Sequence, residues 1–179
     1  MNQYHILYRE NEREKLLAWW KTLEDNRGER AVLRRTSCVD DVLLTPAFAR
    51  FLAMMPSGWS ESYRLFDSAM VAGLLARVKT NEKDKKKTFA TALAMPGKQG
   101  CKAVMSGLRF QQLQKSRDVD EFFLRMSRAI ALLGGQVNLL SMADGVLHWL
   151  KEHLQTVDKI PHKRLAVRWA NDYYTQLKD

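Results

Sequence analysis

Hydrophobic positions recur at three- and four-residue spacing along most of the chain, the period of helices with one buried face, and no alternation of useful length predicts a strand. The first run, Tyr4 to Glu24, has a charged first half followed by Leu16, Leu17, Trp19, Trp20 and Leu23; Asn26 and Gly28 end it. A short basic segment, GERAVLRRT, comes next. Thr45 and Pro46 form an N-cap and first-turn pair that opens a helix through Met55, and Pro56 and Gly58 stop it. Another helix is predicted over Ser62 to Lys79, with Leu65, Met70, Leu74, Leu75 and Val78 as core contributors.

In the second half, Asp118 and Glu121 have the spacing of a cap and its partner. They open a helix to Leu133 whose stripe is Phe122, Met126, Ile130 and Leu133, leaving Arg125 and Arg128 turned away from the core. Gly134 and Gly135 terminate it. Ser141 with Asp144 fits a capping box for a helix ending near His153. Pro161 starts a last helix carrying Leu165, Trp169, Tyr173 and Leu177 at four-residue spacing. Between the halves lies KTNEKDKKK, Lys79 to Lys87, too polar to pack and read as an exposed loop or frayed helix end. The expected architecture is therefore all-α: two small helical subdomains, each a bundle, joined near this basic loop, with residues 1–96 in one and 97–179 in the other.

Charge sharpens this picture. The chain of 179 residues is 46% hydrophobic, enough for one sizeable core or two small ones, and carries a net charge of +9. Residues 1–96 hold 16 Lys and Arg against 12 Asp and Glu, and residues 97–179 hold 13 against 8, so the excess is spread over both halves and is not a detachable tail. A basic folded surface favours a polyanion, nucleic acid first. The stretch Gly97 to Arg117 holds five basic side chains and no acidic one. On a continuous helix Lys98, Lys102 and Arg109 would fall within roughly 40° of one another beside an apolar sector of Cys101, Val104, Met105 and Leu108. The alternative is that Gly107 interrupts the helix and the lysines only solvate a surface.

Other classes find little support. The first 25 residues carry charges throughout and no continuous apolar core, so no signal peptide is expected; no run approaches the roughly 20 apolar residues of a membrane span, and a cytoplasmic protein without a membrane partner is expected. Cys38 and Cys101 are lone thiols, read as small buried hydrophobes. His5, His148, His153 and His162 show no metal-ligand spacing, and no nucleophile elbow, Walker A loop or dinucleotide fingerprint occurs, so no cofactor, metal or catalytic residue is expected. Asp40 and Asp41 open a helix more naturally than they hold a nuclease metal. Trp19, Trp20, Trp149, Trp169, Tyr173 and Tyr174 are read as core or subunit-contact residues, whereas Trp59, after Pro56 and Gly58 in a turn, is placed at the surface. Two further classes stay open: a free-standing DNA-binding regulator, with the helix from Ser141 presenting Ser141, Asp144, His148 and Lys151 outward as a helix-turn-helix, and a basic scaffold that binds an acidic protein.

The order LRR (Leu33 to Arg35), PAFARFL (Pro46 to Leu52), an isolated Gly58-Trp59, a lysine loop, LRFQQL, RMSRAIALL, VLHWL and a closing RWANDYY resembles the CasB family, the small subunit of the type I-E CRISPR effector complex Cascade. The resemblance covers nearly the whole chain, with two departures: a longer N-terminal helix before Trp19, and Leu108 where a second arginine beside Arg109 is usual. It implies a non-enzymatic subunit, present in two copies along the belly of an antiviral ribonucleoprotein. Its partners would be guide RNA, target and non-target DNA, other Cascade subunits and a second copy of itself. The positions matching basic residues of the family's groove are Arg35, Lys85, Lys86, Arg109, Lys115 and Arg128, with Arg34 and Arg64 as additions. With Lys98 and Lys102 from the basic tract, these are the expected nucleic-acid contacts. Arg117 and Arg125 are left between nucleic acid and a neighbouring subunit.

Overall fold

Side-chain oxygens fix where five of the helices begin. Thr45, Thr88, Ser106, Asp118 and Asn138 each accept a hydrogen bond from the amide three residues on, satisfying a donor that the first helical turn leaves free. In the structure, a computed structural model that describes residues 3–98, 100 and 102–177, the elements run as α1 (Glu10–Asp25), α2 (Arg27–Arg35), α3 (Val39–Leu43), α4 (Pro46–Met54), α5 (Leu65–Leu75), α6 (Phe89–Ala94), α7 (Gly107–Gln114), α8 (Val119–Leu132), α9 (Leu139–Leu154) and α10 (Leu165–Gln176). Short 3-10 turns stand at Ser57–Ser60, Ser62–Arg64 and Pro161–Lys163. The fold is all-α, apart from two strands of two residues each.

Those strands, β1 (Thr80–Asn81) and β2 (Gln136–Val137), pair in parallel, Thr80 opposite Gln136 and Asn81 opposite Val137. They order the start of the segment read as a loop or frayed helix end, because main-chain pairing needs no apolar side chains. Gly135 O accepts from the amides of Lys79 and Thr80, and Asn81 Oδ1 accepts from Leu139 N at the start of α9. Gly134 and Gly135, at φ of 66° and 79°, make the turn out of α8 that brings β2 there.

α5 and α9 form the interior. Every residue of α5 from Ser68 to Leu75 is buried, and α9 is buried continuously from Met142 to Leu150. α5 packs on α3, α4, α8 and α9, while α6 packs on α9 and α10. Contact between α9 and α10 is close at Gly145, where a Cβ would meet Trp169 Cζ2 at 2.6 Å. Burying large apolar and aromatic side chains such as Trp19, Phe51, Phe122 and Tyr173, at about 25 cal/mol for each Å², is what holds these helices together.

Several expectations are corrected. The first helix starts at Glu10, not Tyr4, because the buried Asp144 carboxylate takes the amides of His5, Ile6 and Leu7 at 2.7–3.0 Å and draws residues 4–7 out as an arm. The basic segment GERAVLRRT, for which the sequence predicts no element, lies in α2 up to Arg35, with Thr36 extended just beyond it. The helix predicted over Ser62 to Lys79 is a 3-10 turn followed by α5, which stops at Leu75. Ser141 and Asp144 form no capping box: Asn138 caps α9, Ser141 Oγ accepts from Phe89 N, and Asp144 serves the arm. Trp59 is fully buried, with its ring under the Arg64 guanidinium and its Nε1–H donated to Glu12 Oε1 at 3.0 Å. Cys38 is half-buried and Cys101 lies outside the described residues.

Beside Asp144, Arg168 donates from Nη1 to His148 Nδ1 at 3.0 Å. A guanidinium can only donate, so Nδ1 is unprotonated and Nε2 carries the hydrogen, facing Glu152 Oε1 at 3.1 Å. Burial lowers the His148 pKa to about 4; the charges of His5, Arg168 and Lys151 act in the same sense, and Asp144 opposes them. His5, stacked on His148 at 4.7 Å, is also lowered, chiefly by burial. The unfolded chain therefore binds protons that the folded chain excludes, so this stability is fully present above about pH 6.5 and is lost as pH falls toward 4. We expect urea-unfolding free energy to fall between pH 6.5 and 5, above most carboxylate titration, and the slope to be smaller in His148→Gln. A flat profile in the parent protein contradicts this.

Candidate nucleic-acid interface

Ser106 caps α7 and Asp118 caps α8, so the two helices are joined by only Lys115 to Asp118 and lie against each other. Asp118 Oδ1 accepts from Glu121 N while Glu121 Oε2 accepts from Arg117 N, a reciprocal arrangement that fixes the turn. Arg125, one turn further along α8, donates to Glu121 Oε1 at 2.9 Å and to the carbonyl of Gln112 on α7. It is a tie between the helices. The Glu121 carboxyl is held below the usual carboxylate range, first by the Arg117 amide and then by the Arg125 and Arg117 charges.

Between α7 and α8 lies an open groove of about 540 Å³ with Met105, Leu113 and Leu132 among its apolar walls and Arg109, Arg125 and Arg128 around it. An adjoining recess of about 330 Å³ shares Gln112 and Arg125 with it and adds Lys115 and Arg117. Among the described residues Arg109, Lys115 and Arg128 are exposed and form no ion pair. Five cations thus face two joined recesses, with Glu121, already engaged, as the single acid lining them. Guanidinium groups present planar donor forks that match a phosphate, and free ones give up no existing pair to bind it.

The remaining expected contacts stand elsewhere. Arg34 and Arg35 are exposed in the last turn of α2. Lys85 and Lys86 are exposed between β1 and α6, where Gln3 Nε2 donates to Lys85 O. Lys98 and Lys102 are exposed in a turn closed by a bridge between Pro96 and Ala103; α7 begins only at Gly107, so the continuous helix that would align them with Arg109 does not form. Of its expected apolar sector, Met105 is buried while Leu108 is 68% exposed. Arg64 covers Trp59 and pairs with Glu12 at 3.7 Å.

Two arginines that sequence reasoning did not single out are structural. Arg77 donates to the carbonyls of Leu33, Gly73 and Thr36, and burial lowers its pKa to about 10, with Arg34 adding to the effect. Arg30 donates to Ala76 and Val78 carbonyls. Arg77 follows the end of α5, a signal present in the sequence as a basic residue at a helix C-terminus, whereas Arg30, in the first turn of α2, reaches the carbonyls beyond α5 across the fold and carries no local signal. Arg125 was visible too, one turn before Arg128 on the same face.

Asp41 Oδ2 accepts from the Ser37 amide and hydroxyl, and among the described residues no cluster of His, Cys, Asp and Glu fits a metal. α9 does not present Asp144 and His148 outward as a recognition helix would; both are buried because α9 lies at the centre of the fold. Among the described residues no helix is long and apolar enough to cross a membrane.

Residues 29–174 match the family model for CRISPR-associated protein Cse2. The chain belongs to this family, the CasB small subunits of the type I-E Cascade complex. No curated protein and no solved structure matches it. The matched span begins in α2 and takes in both groove helices, so the Cse2 region contains the whole α7–α8 site, while the arm and α1 stand before it.

Arg125→Ala should lower stability by about 1 kcal/mol, since it removes a charged hydrogen bond to a backbone carbonyl and an ion pair that are partly solvent-screened. Arg109→Ala and Arg128→Ala should stay within about 0.5 kcal/mol of the parent, as exposed substitutions without partners do. Chemical denaturation of the three variants checks this ordering.

Proposed function

We propose that the α7–α8 groove grips the sugar-phosphate backbone of nucleic acid without reading bases. Through it this Cse2 subunit holds the guide–target R-loop and the displaced non-target strand of Cascade open, and it does no chemistry on either. The observation that carries the reading is the pair of guanidiniums, Arg109 and Arg128, without an ion-pair partner among the described residues and set on two helices that Arg125 ties together.

Physical economy supports it. In guide-directed complexes pairing reads the sequence, so a strand-holding subunit needs phosphate contacts alone. R-loop formation is nearly balanced in energy, so modest protein contacts decide whether the open state lasts. Groove arginines on packed helices lose less freedom on binding than Lys85 and Lys86, which project from a connection. Lys115 extends the track, and Arg34, Arg35, Lys98 and Lys102 are further proposed contacts, while Arg64 has the weakest claim because Glu12 and Trp59 already engage it.

Binding to single strands should weaken with salt at a log–log slope of about −0.7 for each phosphate contact, independent of base sequence. Arg109→Ala with Arg128→Ala should flatten that slope by two contacts and shorten the R-loop lifetime of the assembled complex, leaving target choice unchanged. An unaltered slope and lifetime in a folded, assembled double variant would falsify the proposal. Binding of an acidic protein in place of oligonucleotide would favour the scaffold reading instead.

A further inference from the structure

On the other side of α7's end, Gln114 lines a second cavity, of about 220 Å³, beneath the connection between α9 and α10. Its Nε2 is buried without a hydrogen-bond partner among the described residues. Of the other polar groups of the wall, Ser116 Oγ donates to Leu113 O, Trp149 Nε1 to Gln114 O, Glu152 Oε1 accepts from Leu165 N, and the His153 ring lies on Trp149. Val157, Leu165, Ala166 and Trp169 make the apolar part of the wall. A buried amide left unpaired in a recess with apolar side chains along one part of its wall is satisfied by a group that brings its own hydrogen-bonding atom.

The surroundings narrow what that group is. Leu154, Val157, Ile160 and Val167, all close in sequence around the α9–α10 connection, are 55%, 53%, 43% and 41% exposed. Apolar exposure of that kind marks contact with protein more than with phosphate. Trp149 offers no free face to a nucleobase, because Phe122 stacks on it at 4.0 Å and His153 at 4.5 Å. Lys159, His162 and Lys163 are exposed along the same connection, while Asp158 is turned onto the Ile160 amide. Against Glu152 in the wall and Asp158 beside it, Lys159, Lys163 and Arg164 leave a positive balance around the cavity.

We propose that this cavity is a docking slot for one apolar side chain from another protein subunit of the complex, flanked by acidic residues, whose main chain pairs with the Gln114 amide. A peptide group offers both an N–H and a C=O, so it satisfies Gln114 whichever way the amide is turned. The slot rests on membership of a multisubunit assembly, not on the nucleic-acid reading, and the two fail separately.

Gln114→Leu separates a binding role from a structural one. It removes an unpaired buried amide, so the melting temperature of the isolated chain should hold or rise, while affinity for the guide RNA complex assembled without this subunit should fall about tenfold, the loss typical of an interface hot spot. Ala166→Trp, which fills the slot from the first turn of α10, should weaken the same association and leave oligonucleotide binding and its salt slope at parent values. Unchanged association in both folded variants overturns the proposal. So does loss confined to oligonucleotide binding, loss confined to self-association of the lone chain in sedimentation, or a Gln114→Leu protein that is less stable yet assembles normally.

Discussion

A buried carboxylate in the middle of α9 sets the arrangement on which the rest depends. Asp144 is 2% exposed and its charge is met by three consecutive amides of the arm, with Arg168 of α10 at 3.8 Å. Without those donors an ionised carboxylate at that depth would be costly, so the arm, α9 and α10 are obliged to stay together. His148, one turn on, is kept neutral by the same crowding and passes the contact from Arg168 to Glu152. Once α9 is central, α5 and α6 have a surface to bury against, and α7 and α8 are left with one side open.

The same chain uses its arginines in two ways. Arg30 and Arg77 are drawn onto backbone carbonyls and complete helix ends, and Arg64 shields Trp59. Arg109 and Arg128 are left free beside the anchored Arg125. Like charges held side by side repel, and the single engaged acid, Glu121, relieves only part of this. Such a site is suited to receive an anion without reorganising, a property that the net charge of +9 alone does not supply.

Local signals were legible in the sequence. The caps at Thr45 and Asp118, the glycine stop at Gly134 and Gly135 and the stripe of Phe122, Met126 and Ile130 all act within a few residues, and the structure keeps them. What escaped is long-range. Asp144 has the spacing of a cap residue but answers amides 137 to 139 positions away, and Trp59 looks like a turn residue until Glu12, 47 positions earlier, accepts its indole N–H. The groove was half visible: Arg109 and Arg128 stood out as basic positions, but their meeting across α7 and α8 follows from packing. The expected alignment of Lys98 and Lys102 with Arg109 fails because α7 starts only at Gly107 and Pro96 bridges to Ala103 before it.

The central claim is that Arg109 and Arg128 of the α7–α8 groove meet phosphate. A cryo-electron microscopy map of the assembled complex with its guide RNA and a target duplex, at a resolution that separates phosphates, tests it most directly. The account predicts nucleic-acid backbone density along the groove within hydrogen-bonding reach of Arg109 and Arg128, with bases directed away from the protein. A groove filled by another protein subunit, or left open to solvent while the strands run over a different face, would contradict it.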